Sequence, residues 1–254
     1  MLFRSDGAQP VLYAKGSGNA ALSNILLENA RESWLDAHPD AIPRQEFPNP
    51  MYRRDTWWQS LNGDWEFAFD PFEEFDAATL ANEPRLPLSI KVPFPWQSRF
   101  SGIRQPAYMG RAWYRRSFEI PSHVTEPGQR MHLNFIASDF ETRAWVNGNE
   151  IGEHKGSYSR FSFDITDFIY RDRENQILLM VEDPKNCSHI PIGKQGTWYT
   201  RSSGLWQSVF LQARHEHAIE DLRITPDIEN SQVHVAGRLT AAPDSTSMRA
   251  YVSL

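Results

Sequence analysis

From residue 43 onward, apolar and polar side chains alternate in short runs separated by turn residues, the texture of strands that each bury one face. Residues 64–69 alternate around Trp65, Phe67 and Phe69, and similar runs recur at 112–120, 131–136, 142–146, 159–163, 176–181 and 206–211. Each has the length of an ordinary strand. Asn147-Gly148 lies between TRAWV and NEIGEH and predicts a hairpin, because a type I′ turn needs positive φ at both central positions. Residues 164–169 (DITDFI) read as a single capped helical turn, with Asp164 or Thr166 as the N-cap. No strand–helix–strand rhythm is present. Strands at this spacing, joined by turns and longer loops, predict an all-β sandwich of the jelly-roll kind.

The two ends of the chain have a different texture. Leu22, Ile25, Leu26, Trp34 and Leu35 fall at roughly helical spacing between a Gly/Ser-rich stretch and Pro39, which predicts a short helix in an N-terminal arm over residues 1–42. After Arg214 the alternation restarts. Residues 218–239 carry two further strands around a polar turn, and AYVSL at 250–254 begins another. A sandwich domain over 43–216 is therefore expected, followed over 217–254 by part of a second β-domain that is incomplete in this chain, since a strand pair alone is not a stable domain.

Composition narrows the partners more than the fold. The chain holds 9 Trp, 8 Tyr and 15 Phe, and large rings serve equally to fill a core and to stack on the apolar faces of sugars. A net charge of −6, with basic residues interleaved among acidic ones, argues against nucleic acid as a partner. No run approaches the roughly 18 apolar residues that span a bilayer, and the first residues lack the apolar core of a secretory signal. Cys187 is the one cysteine, so an internal disulfide and a cysteine-based zinc site are both ruled out. A cytoplasmic setting is expected.

Several separated segments carry a resemblance. PRQEFPNPMYRRDTWWQSLNGDWEFAFD, IKVPFPWQSRFSG with AWYRRSFEIP, DFETRAWVNGNEIGEHKGSYSRFSFDIT, and NQILLMVEDP with SGLWQSVFL occur in this order over residues 43–214. Together they resemble the N-terminal domain of family 2 glycoside hydrolases, the β-galactosidase and β-glucuronidase group. The resemblance implies a galactose-binding-like jelly roll at 43–216, and the restart at 217–254 is similar to the start of the family's immunoglobulin-like domain. It also implies a TIM barrel further along the same protein as the partner, a β-glycoside in the pocket between them, and room for a homo-oligomer.

Glycoside hydrolysis needs two carboxylates flanking the scissile bond, about 5 Å apart for retention and further apart for inversion. The resemblance places both on the downstream barrel, the acid/base in an Asn-Glu motif. Asn82-Glu83 and Asn149-Glu150 match those letters, but the first is expected in a loop and the second leaves a hairpin turn, and neither follows a parallel barrel strand. No catalytic residue is therefore assigned in this chain, nor a metal or cofactor. His215-Glu216-His217 would put two imidazoles on one strand face, yet zinc needs further ligands, so an exposed connection is expected there. Ser202-Ser203-Gly204 lacks the Gly-x-Ser-x-Gly frame of a nucleophile elbow.

The remaining candidate is PIGKQGTWYTR at 191–201. In the family the loop before Ser-Gly-[IL]-Trp reaches toward the sugar pocket, and several members carry an acid there for sugar hydroxyls or a cation. Trp198 stands at that position here. The substrate-binding candidates are thus Trp198 as a stacking face, with Arg201, Lys194 and Gln195 as hydrogen-bond donors, and the neighbouring Tyr199. The competing expectation is that the loop merely packs on the barrel, with Arg201 in an ion pair between domains. A freestanding carbohydrate-binding module and a purely structural sandwich for domain or subunit contacts are the other two functions considered.

Overall fold

The computed structural model describes residues 42–44, 57–121, 124, 128–185 and 190–240. The predicted N-terminal helix, the AYVSL strand and Cys187 lie outside the described residues. A six-stranded sheet contains β2 (Gly63–Asp70), β3 (Leu88–Val92), β4 (Gly110–Phe118), β6 (Glu141–Val146), β7 (Asn149–Lys155) and β9 (Asn175–Asp183), in the order β3-β2-β4-β9-β6-β7. A four-stranded sheet contains β1 (Trp58–Ser60), β5 (Gln129–Phe135), β8 (Phe161–Asp164) and β10 (Val209–His215), in the order β1-β10-β5-β8. All neighbours within both sheets run antiparallel. β11 (Ile219–Asp227) and β12 (Gln232–Leu239) form a separate two-stranded pair.

The core lies between the two larger sheets, and alternation along the strands explains its membership. Trp65 and Phe67 of β2, Tyr114 of β4 and Ile177, Leu179 and Val181 of β9 meet Met131, Leu133 and Phe135 of β5 and Val209, Leu211 and Ala213 of β10. Each large side chain buried this way contributes on the order of 2–3 kcal/mol. The rings interlock edge to face: Phe67 and Tyr114 stand 4.9 Å apart at 74°. The predicted all-β sandwich is the architecture found.

The six-stranded sheet also buries apolar side chains on its outer face. Trp113, Trp145, Leu178 and Met180 are covered there by Leu80 and Leu86, with Ala77 and Ala81 alongside. Leu80, Ala77 and Ala81 belong to a short helix, α1 (Ala77–Asn82), that starts at Asp76, whose side chain accepts the Thr79 N–H at 2.9 Å. Arg115 closes the other end by donating to the Leu80 and Glu83 carbonyls while pairing with Glu66. Asn82 therefore ends a helix with Glu83 as its C-cap, where a loop was expected. Six residues are too few to show helical periodicity, so only the packing reveals this element.

Two other local expectations change. Residues 166–168 form a hydrogen-bonded turn and no helix. Asp164 Oδ1 accepts from the Thr166 N–H at 3.0 Å, an Asx-type closure that competes with helix formation. The last sandwich strand begins at Val209, three residues later than its pattern predicts; the Trp206 N–H instead turns back to the Gly204 C=O at 2.9 Å. The Asn147-Gly148 hairpin is as predicted, with φ of 51° and 80°. β11 and β12 likewise confirm the two strands after Arg214. On their apolar side Leu222, Ile224, Val233 and Val235 are exposed.

Candidate functional site

Between β9 and β10 the chain makes a long excursion, and the described part, residues 190–208, holds all five candidates. Its outer portion is wound on itself by main-chain bonds: Gln195 N–H to Ile192 C=O at 3.1 Å, Trp198 N–H to Lys194 C=O at 3.0 Å, and Gly196 N–H to Tyr199 C=O at 2.6 Å. This winding turns Trp198 and Tyr199 outward, 78% and 67% exposed. Lys194 is exposed beside them, and Gln195 is half-buried beneath. Two large rings left in water on an ordered loop form an apolar surface framed by amide and ammonium donors, the composition of a carbohydrate contact.

Beneath the loop lies a polar layer. Asp183, the last residue of β9, is fully buried and accepts hydrogen bonds from Arg201 and Ser203. Ser203 is clamped further: its N–H donates to Gln97 Oε1 at 3.0 Å and its Oγ accepts from Gln97 Nε2 at 2.6 Å. Asp139, in the β5–β6 connection, accepts from Ser157 Oγ at 2.9 Å, while its main chain exchanges two bonds with Gly204. Burial, reinforced by the nearby Asp183 charge, pushes the Asp139 carboxyl up to about 6 against the opposing pull of Ser157 and Arg201. Burial raises Asp183 as well, although Ser203 and Arg201 both favour its ionised form.

Gly204 fixes the return of the loop into the sandwich. Its φ is +86°, and a Cβ there would fall 2.1 Å from the Tyr114 hydroxyl and 2.7 Å from the Trp96 ring. Only glycine fits both the left-handed backbone and the close approach. The loop is thus held by β9, by the β5–β6 connection and by the core itself.

Trp198, Tyr199, Lys194 and Gln195 are brought together on the loop's outer half. Arg201 points the other way, into the ion pair with Asp183, so the pair expected between domains is made within this one. Sequence reasoning missed Asp139, Asp183, Ser157 and Gln97, and also Tyr158, whose hydroxyl accepts from Gln195 Nε2 at 3.1 Å. Neither carboxylate stands out in the sequence: Asp183 directly follows Glu182, and Asp139 is followed by Phe140 and Glu141, so only the fold shows that they are buried. Elsewhere, the described residues contain no group of three or more His, Cys, Asp or Glu placed to hold a metal. Glu150 pairs with Arg143 on the β6–β7 hairpin, and Ser203 is committed to Asp183.

Residues 58–214 match the family described as glycosyl hydrolases family 2, sugar binding domain. The chain belongs to family 2 of the glycosyl hydrolases. It is 26% identical over 204 residues to a β-glucuronidase of Paenibacillus borealis, covering 72% of this chain and 33% of that protein. It is also 26% identical over 186 residues to a β-galactosidase of Thermoanaerobacter pseudethanolicus, covering 72% of this chain and 23% of that one. The fold is similar to the β-glucuronidase from Ruminococcus gnavus in complex with D-glucuronic acid, with a TM-score of 0.63 and 22% identity over 75% of this chain and 36% of the other. The family 2 chain therefore spans a third or less of these two curated relatives' length. Among its described residues no helix is long and apolar enough to cross a membrane.

Proposed function

We propose that this family 2 chain is the N-terminal, sugar-handling part of a cytoplasmic glycosidase acting on a β-glycoside. In this reading residues 43–216 form the jelly-roll domain and 217–254 begin an immunoglobulin-like sandwich. A TIM barrel further along the protein carries the two catalytic carboxylates. The loop at 191–201 forms one wall of the sugar pocket: Trp198 and Tyr199 stack on a sugar or aglycone face, and Lys194 and Gln195 donate to hydroxyls. Arg201 contributes by holding the loop, through Asp183. The observation that carries this reading is the pair of exposed rings on a loop tied down by a buried ion pair, because a rigid mount lowers the entropy lost when a ligand docks.

The test is kinetic and uses the complete protein. Trp198→Ala is expected to lower kcat/KM for a 4-nitrophenyl β-D-glucuronide or β-D-galactoside about ten-fold, the loss of a stacking contact of about 1.4 kcal/mol. If kcat/KM is unchanged while the melting temperature drops, the loop serves domain packing alone and the purely structural reading replaces this one.

A further inference from the structure

Tyr158 lies outside the 191–201 loop, in the turn between β7 and β8. Its ring is 62% exposed, so it contributes little to the core. Its ring and its hydroxyl both meet residues of the β9–β10 connection. The ring stands edge-on to Trp206, with centroids 5.7 Å apart at 72°. Trp206 is fixed in turn by donating its Nε1–H to the Ser157 carbonyl at 2.9 Å. The hydroxyl of Tyr158 accepts from Gln195 Nε2 at 3.1 Å.

Gln195 is the hinge of this arrangement. While its Nε2 reaches Tyr158, its Oε1 accepts the Ser202 N–H at 3.1 Å. One side chain therefore links the outer loop, the loop's return to the sandwich and the β7–β8 turn. Gln195 also bridges Tyr199 through the main chain, and the next bond of the winding runs from Trp198 N–H to Lys194 C=O. A change in the Gln195 rotamer would release the tie that sets the height of both exposed rings above the sandwich. Removing the Tyr158 hydroxyl leaves Nε2 without that partner and frees the rotamer.

We infer that Tyr158 is a positioning residue for the sugar-contacting loop: through Gln195 it holds the segment that presents Trp198 and Tyr199. This rests on the proposed role of the loop, and the test separates the two. In the complete protein, Tyr158→Phe keeps the ring and its contact with Trp206 and deletes only the hydroxyl. Hydrogen exchange of the Gly196, Trp198 and Tyr199 amides is expected to speed up about five-fold, the effect of one lost hydrogen bond, while amides of β5 and β10 exchange as before. KM for the better of the two 4-nitrophenyl glycosides is expected to rise about three- to five-fold with kcat held, on the same hydrogen-bond scale.

Gln195→Met removes the other partner. The double variant is expected to match the worse single one, since both delete the same tie. Unchanged loop exchange in Tyr158→Phe overturns the inference whatever the protein hydrolyses. Additive effects in the double variant also overturn it, because Tyr158 would then act by a route other than Gln195. If Trp198→Ala leaves kcat/KM unaltered but Tyr158→Phe still loosens the loop, the brace stands and the sugar-wall reading is what fails.

Discussion

Two aromatic populations in this domain have the same chemistry and opposite settings. Trp65, Phe67, Trp96 and Tyr114 are sealed between the sheets, where each ring touches others edge to face. Trp198, Tyr199 and Tyr158 stand in solvent around the β9–β10 loop. The difference is made by what lies beneath them. The first group is packed mainly among other apolar side chains, so burial itself is the driving force. Under the second is a layer of carboxylates, hydroxyls and amides whose hydrogen bonds hold the loop at a fixed place. The rings above gain no burial from it. Stability resides in the first region, and the second is a loop held on a rigid scaffold.

The sharpest way to break this comparison is to truncate one ring from each population. Trp65→Ala is expected to cost about 4 kcal/mol in urea unfolding, since it opens a cavity and leaves the Leu61 carbonyl without its indole partner. Trp198→Ala should stay within about 0.5 kcal/mol of the parent. Similar losses at the two sites would mean that the loop is part of the core.

Next in size is the polar layer. Asp183→Ala leaves Arg201 without its carboxylate and Ser203 without its acceptor, and a loss of about 3 kcal/mol is expected, because breaking a buried pair strands the remaining charge. An unfolding midpoint equal to the parent's would show that Arg201 finds water instead, and the layer would then be a surface feature.

Asp139 gives a smaller effect with a defined pH window. Its folded-state carboxyl titrates near 6, above the ordinary carboxylate value, so the folded protein holds the proton more tightly than the unfolded chain does. By linkage, stability from this group is greatest below about pH 4 and falls as pH rises toward 6. The groups facing it are Asp183, Arg201 and Ser157, with the Gly204 main chain. Asp139→Asn keeps an acceptor for Ser157 and removes the charge. It is expected to stabilise the protein by about 2 kcal/mol at pH 8 and to change nothing at pH 4. Equal shifts at both pH values would trace the effect to packing rather than ionisation.

The sandwich was legible in advance because each strand announces itself locally: alternation at Trp65-Phe67-Phe69 or Ile177-Leu179-Val181 needs only neighbours two residues apart. The Asn147-Gly148 turn was legible for the same reason. Helix α1 was not, since six residues hold under two turns and the element exists by covering Trp113 and Trp145. The loop could be picked out as a candidate, and the exposure of Trp198 and Tyr199 on it is what the structure adds. The pairing of Arg201 with Asp183 was not legible, because the two lie 18 residues apart, one in the loop and the other at the end of β9.

What the sequence by itself determined is the all-β class, the antiparallel hairpins, the family and the segment that bears the exposed rings. All of these follow from local period, turn chemistry and motif order. Only the tertiary structure decided which carboxylates are buried, which cation meets them, and that Tyr158 reaches Gln195 across 37 positions. Those pairings depend on strand order within the two sheets. Sheet order is set by the joint burial of many distant side chains, a quantity that no single stretch of sequence contains.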